Sequence, residues 1–175
     1  MSTVTIADWP QDVFRSLKSH DVRQIAYVPD AGHARLIELA RADNAMRAVV
    51  LSSEQEGVAQ LAGAWLGGQR GALLMQSSGV GNCINMLSLP AHCRMPLLML
   101  VTMRGHHGEF NPWQVPMGQA TRSVLQAMGA LTFEVDEPAK VGETVNAAAR
   151  MAFEGQALAA VLLSQRLIGA KTFGR

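Results

Sequence analysis

The sequence is short of charge, of aromatic side chains and of cysteine, and each shortage removes a class of protein. Charged residues make up 17% of the 175, and 15 Lys and Arg stand against 14 Asp and Glu for a net charge of +1. No basic run exceeds scattered pairs, so the footprint that nucleic acid or an anionic membrane demands is missing, and small molecules and proteins are the expected partners. The two cysteines, Cys83 and Cys93, lack metal-ligand spacing, and no metal site is expected in this chain. The opening residues MSTVTIADWPQDVF have neither the basic flank nor the long apolar stretch of a secretion signal. The apolar run around Pro96–Val101 falls well short of the roughly 20 residues needed to span a bilayer. The expectation is a cytoplasmic protein with reduced thiols.

What is present is a core. Hydrophobic residues reach 49%, enough for one domain over residues 1–175 to bury a sizeable interior without disulfides or metals. Short apolar runs recur at Gln24–Val28, Arg47–Leu51, Ala72–Gln76, Leu97–Thr102, Leu131–Val135 and Ala159–Leu163. Several, such as ALLM, LLMLV and AAVLL, are apolar at consecutive positions, the pattern of parallel strands covered on both faces. Between them lie amphipathic stretches at Ala7–Ser19, His33–Ala42, Glu54–Gly67, Gly81–Leu89, Gly118–Met128 and Ala139–Glu154. Right-handed crossovers place these helices on two faces of a doubly wound, mostly parallel α/β sheet of about six strands. In such a sheet ligands meet the loops at the carboxyl ends of strands, which selects Pro29–His33, Ser52–Glu56, Ser77–Asn82 and Arg104–Trp113.

Two carboxylates compete in Ser52–Gly57. With Ser53 as N-cap, Glu56 completes a capping box and has a structural role. Glu54 then has no capping duty, and is either an acid favoured by the helix dipole or a functional group. Ser77–Asn82 resembles a dinucleotide fingerprint and fails as one: Gly79 and Gly81 fit G-x-G-x-x-G, but the third position is Ile84. It reads either as a tight turn capped by Ser78 or as backbone approaching a ligand closely. Asp30 is a turn aspartate or a site-facing carboxylate. Arg104–Gln114 has no periodicity and carries the tandem His106 and His107, which are proton carriers near neutral pH or plain loop residues. Arg104 could grip an anion through paired N–H donors or clamp the loop. His20, His33 and His92 show no metal spacing and read as surface or capping residues.

Taken together, Glu54 through Gly63 to Gly67, then GALLMQSSGVGNCINMLSLP and PLLMLVTMRG, resemble the pyrimidine-binding domain of thiamine-diphosphate enzymes. The resemblance is strongest to sulfopyruvate decarboxylase alpha subunits and extends to phosphonopyruvate decarboxylases, which share the turn at Val28-Pro29-Asp30 and the loop Met75–Gly79. It implies that Glu54, nine residues before Gly63, is the acid that activates the cofactor. Hydrogen-bonded to a pyrimidine nitrogen, that acid favours the imino tautomer, and it does so only when partly desolvated by neighbours such as Val58, Leu61, Ala62 and Trp65.

The same resemblance implies a catalytic part for His106 and His107, cofactor contacts from Gln76, Ser78, Gly79 and Asn82, and substrate contacts from Asp30 and Arg104. Most relatives carry an acid where His106 stands, and commonly Ser at Ala31. The family's G-D-G turn and later asparagine, which hold the diphosphate and Mg2+, are missing here. They are expected on a separate diphosphate-binding beta subunit, in an assembly of at least two chains of each kind. The implied reaction is non-oxidative decarboxylation of an acidic 2-oxo acid, sulfopyruvate first and phosphonopyruvate second. The rival is a non-catalytic, flavodoxin-like α/β binding module.

Overall fold

The apolar runs become strands, as consecutive Leu, Val, Met and Ala residues require where both faces of a sheet are covered. The computed structural model describes residues 8–169. Its strands are β1 (Val22–Tyr27), β2 (Arg47–Val50), β3 (Arg70–Gln76), β4 (Leu97–Thr102), β5 (Leu131–Val135) and β6 (Leu158–Leu163). All pair in parallel in one sheet of order β2-β1-β3-β4-β6-β5. β4 is buried at every position, and its side chains divide between two cores: Leu98 and Leu100 on one face, Leu97, Met99 and Val101 on the other.

The first face is covered by α1 (Trp9–Ser19), α2 (Ala34–Ala42) and α7 (Val141–Gly155). The second is covered by α3 (Glu54–Leu66), α4 (Ser77–Cys83), α5 (Ser88–Cys93) and α6 (Val115–Ala127), while α8 (Gln165–Ile168) follows β6. The crossover leaving β1 therefore runs to the opposite face from those leaving β2 and β3, which opens a crevice at the carboxyl ends of these three strands. A second reversal lies at the other side of the sheet, around β4, β6 and β5. No helix among the described residues is long and apolar enough to cross a membrane.

Three expectations are corrected. The helix placed at Gly81–Leu89 begins at Ser77, continues to Cys83, and resumes after a 3-10 turn (Asn85–Leu87) as α5. Gly79 and Gly81 are thus helical and not a turn; neither has positive φ. Glycines weaken a helix intrinsically, so close packing must hold this one. Ser78 does not cap it: Gln76 is the N-cap, and the Ser78 hydroxyl donates to Gln76 Oε1 at 3.0 Å. The capping box at α3 also fails to form. Ser53 caps without a side-chain bond, and the exposed Glu56 accepts from the Ser52 N–H at 3.0 Å and hydroxyl at 2.6 Å, one residue further back. At the amino end α1 starts from the cap Asp8, and the expected start at Ala7 lies outside the described residues.

Candidate active site

Glu54 is buried because of where α3 begins. Glu54, Gly57, Val58, Leu61 and Ala62 form the buried stripe of that helix, with Glu54 as its first member at the carboxyl edge of the sheet. The residue is 6% exposed and is the first residue of the helix, just after the cap Ser53. Its two oxygens differ. Oε2 accepts from Asn82 Nδ2 at 2.9 Å, whereas Oε1 accepts no hydrogen bond among the described residues and lies over Gly79. A Cβ at Gly79 would fall closer than 3.0 Å to Oε1, a separation real Cβ atoms essentially never show. The neighbouring Cys83 is pushed up to about 12, by burial first and by the charge of Glu54 second, and stays a thiol.

The other end of α4 faces a second carboxylate. Asp30 Oδ1 accepts from Gln76 Nε2 at 3.1 Å and Oδ2 from the Thr102 hydroxyl at 2.6 Å, while the Ser78 hydroxyl feeds Gln76. The donors all run towards Asp30, whose two oxygens are both held at the crevice beside β1, β3 and β4. Thr102 was not anticipated; its signal was being the one hydroxyl in the apolar run 97–102. Beside Asp30, His33 stands at the N-cap position of α2, one of the two roles expected of it, but it is fully buried rather than on the surface and makes no side-chain cap bond. Its Nε2–H donates to the Leu100 carbonyl at 3.0 Å and Nδ1 has no partner. Burial lowers its pKa against the opposing charge of Asp30. The imidazole is neutral.

Arg104 spends its Nε/Nη2 face inside its own loop. Its Nε and Nη2 each donate to Glu109 at 2.6 Å, and the two side chains are 7% and 2% exposed. Glu109 also accepts from the N–H groups of Gly105 at 3.2 Å and Asn111 at 3.0 Å, and from Gln165 Nε2 at 3.0 Å. The Arg104 hydrogen bond, first among these, holds the Glu109 carboxyl down at about 2, and Glu109 raises Arg104 in turn. Arg104 is thus the loop clamp, the structural alternative left open by the sequence.

The histidine pair is not gathered with Glu54. His106 Nε2–H donates to the Gly118 carbonyl at 3.0 Å, and its N–H donates to Gln165 Oε1 at 2.9 Å. His106 lines a cleft of about 520 Å³ with Arg122, Glu134, Asp136 and Ser164, at the second reversal of the sheet. Neither Glu54 nor Asp30 lines it. His107 is exposed and makes no hydrogen bond among the described residues. Glu109 and Gln165, which fix this loop, were given no role from the sequence. Their partners are five and 56 residues away, with no local pattern to reveal them.

A buried carboxyl with one oxygen held and the other without a hydrogen bond among the described residues can share a proton with a ring nitrogen, and Gly79 lacks the side chain that would displace that carboxyl. No three His, Cys, Asp or Glu side chains among the described residues gather into a metal-holding group. Comparisons with known proteins place the chain in a family. Residues 9–127 match the family described as thiamine pyrophosphate enzyme, N-terminal TPP binding domain. The chain is 33% identical over 157 residues to the sulfopyruvate decarboxylase subunit alpha of Methanothermobacter thermautotrophicus, covering 89% of this chain and 95% of that one. It is 36% identical over 116 residues to the phosphonopyruvate decarboxylase of Streptomyces viridochromogenes, covering 65% of this chain and 29% of that one. Among solved structures, the 2-oxoglutarate:ferredoxin oxidoreductase from Magnetococcus marinus superposes on 91% of this chain and 29% of its own, with a TM-score of 0.71 at 14% identity, a likeness of fold.

Proposed function

The chain belongs to the family of thiamine pyrophosphate enzymes with an N-terminal TPP-binding domain, and we propose that it is the pyrimidine-binding alpha subunit of a decarboxylase acting on an acidic 2-oxo acid. Sulfopyruvate is the first candidate, since the relative matched over nearly its whole length is named for it. Phosphonopyruvate is the second. The observation that carries the reading is the buried Glu54, with Oε2 tied to Asn82 and Oε1 open above Gly79.

When bound, thiamine diphosphate supplies the electron sink that loss of carbon dioxide from a 2-oxo acid requires. Glu54 would hold a proton at Oε1 against the pyrimidine nitrogen. Its burial keeps water from competing for that hydrogen bond. Gln76, Ser78 and Gly79 line the same wall and would contact the cofactor. Asp30, fixed by Gln76 and Thr102, would face the substrate, and Arg104 belongs to the loop. His106 and His107, away from Glu54, would serve the proton transfer that follows loss of carbon dioxide.

Diphosphate and Mg2+ require a second site, and the proposed owner is a beta subunit carrying a G-D-G turn. The phosphonopyruvate decarboxylase relative is matched over only 29% of its length, which supports this: what one long chain carries there would here be divided between subunits. The smallest assembly on this reading is two chains of each kind, working in the cytoplasm.

The test is hydrogen exchange at the reactive ring carbon of thiamine diphosphate bound to the reconstituted complex. Glu54→Gln should slow exchange and turnover by roughly two orders of magnitude, about 3 kcal/mol of barrier, while partner binding survives. Glu56→Gln, two positions on and exposed with its carboxylate tied back to Ser52, should leave both rates near those of the parent. Exchange as fast in Glu54→Gln as in the parent would refute the assignment.

A further inference from the structure

Asn82, for which the resemblance implies a cofactor contact, is bonded to the proposed activating acid. Its amide donates to Glu54 Oε2 at 2.9 Å from the last turn of α4. The acceptor is a carboxylate only 6% exposed, while Asn82 itself is exposed. A buried carboxylate with two equivalent, unbonded oxygens would rotate and share its charge between them. Here one oxygen is pinned and the other is left without a partner over a glycine. Gly81, between the two contact positions, lies under the Met117 side chain, whose sulfur would stand 3.2 Å from a Cβ there. α4 is thereby fixed from both sides, by Glu54 and by α6.

We infer that Asn82 is a positioning residue for Glu54: it orients the carboxyl so that Oε1 alone meets the pyrimidine nitrogen, and Gly79 is required because any side chain there would displace that carboxyl. The inference rests on the proposed function and assigns a division of labour within that site. Asn82 touches neither cofactor nor substrate. A side chain of equal size that cannot donate should disable the site as fully as a truncation does. Asn82→Asp is such a change, and it places a second carboxylate against Glu54.

Two measurements test it. In the chain alone, a denaturation cycle of Glu54→Ala, Asn82→Ala and the double variant should be non-additive, because the two side chains share one bond. Additive costs would overturn the inference before any cofactor is involved. In the reconstituted complex, Asn82→Ala and Asn82→Asp should slow ring-carbon exchange at saturating thiamine diphosphate by roughly tenfold to a hundredfold, the loss expected of a misplaced catalytic group. Cofactor affinity should stay within a few-fold of the parent. A large fall in affinity with normal exchange at saturation would make Asn82 a cofactor ligand and overturn the positioning role. Normal exchange in Glu54→Gln sinks the proposed function. Normal exchange in Asn82→Ala beside slow exchange in Glu54→Gln sinks the positioning role alone.

Discussion

Removing Glu109 should unfold the protein more effectively than removing any other exposed-loop carboxylate, although the residue lies in a segment with no regular structure. Its carboxylate accepts five hydrogen bonds, two from Arg104 and one each from Gly105, Asn111 and Gln165. Glu109→Ala leaves the Arg104 guanidinium, 7% exposed, without its counter-charge. Breaking a buried pair by deleting one partner costs about 3–5 kcal/mol, most of it the penalty of the orphaned charge. At about 2–4 °C per kcal/mol for a domain of this size, Tm should fall by roughly 10 °C.

The pH dependence gives an independent size. The folded carboxyl sits at about 2 against an ordinary 4.5, so the unfolded chain takes up its proton first. The stabilisation is complete above about pH 4.5 and is lost as pH falls towards 2. That gap corresponds to at most about 3 kcal/mol, trimmed by solvent screening because the loop sits at the rim of the protein. Urea unfolding at pH 7 measures the full cost, and repeating it down to pH 3 should show parent and Glu109→Ala converging. Glu109→Ala with Arg104→Met should recover a substantial part, since the orphaned charge is gone. A cost below about 1 kcal/mol, or a double variant no better than the single, would show that the clamp contributes little and that the loop is held by its glycine contacts.

Two further outcomes concern the proposed complex. The isolated chain should bind thiamine diphosphate weakly or not at all in titration calorimetry; tight, magnesium-dependent binding would mean that a diphosphate site has been overlooked. Replacing His106 and His107 together with Gln should lower turnover of the reconstituted enzyme while leaving cofactor affinity within a few-fold, and an unchanged rate and pH profile would leave the pair as loop residues.

The sheet was legible because its central strands announce themselves. LLMLVT and LAAVLL are buried at every position, and no amphipathic helix tolerates such a run. β1 begins at Val22, two residues before the expected Gln24, where an irregularity in the pairing with β3 hides it from simple alternation. α4 was misread because SSGVGNC has the composition of a turn. Its glycines answer to contacts from Glu54 and Met117, which are distant in sequence. The burial of Glu54 could not be read from its local sequence, which fits a dipole-favoured surface acid equally well; only the family resemblance singled the residue out. His33 was misplaced for the opposite reason: an imidazole in a turn looks solvent-facing until the Leu100 carbonyl above it is known.

The strand order explains why the chemistry divides between two places. At the first reversal, the carboxyl ends of β1, β2 and β3 bring Asp30, Glu54 and Gln76 to one edge, and α4 joins them: its cap Gln76, held by Ser78, donates to Asp30, while Gly79 and Asn82 meet Glu54. At the second, β4, β5 and β6 bring His106, Asp136 and Ser164 around a separate cleft. The loop between them is bound to both sides. The Arg104 N–H donates to Ser77 Oγ at the start of α4, while the His106 N–H donates to Gln165 after β6. A side chain of any size at Gly118 would strike the Arg104 carbonyl, so the loop cannot shift without moving α6, and α6 rests on α4 through Met117. The two halves of the edge are therefore mechanically one unit. A change that loosens the Arg104–Glu109 clamp must reach the wall against which Glu54 is held, and reach it through packing.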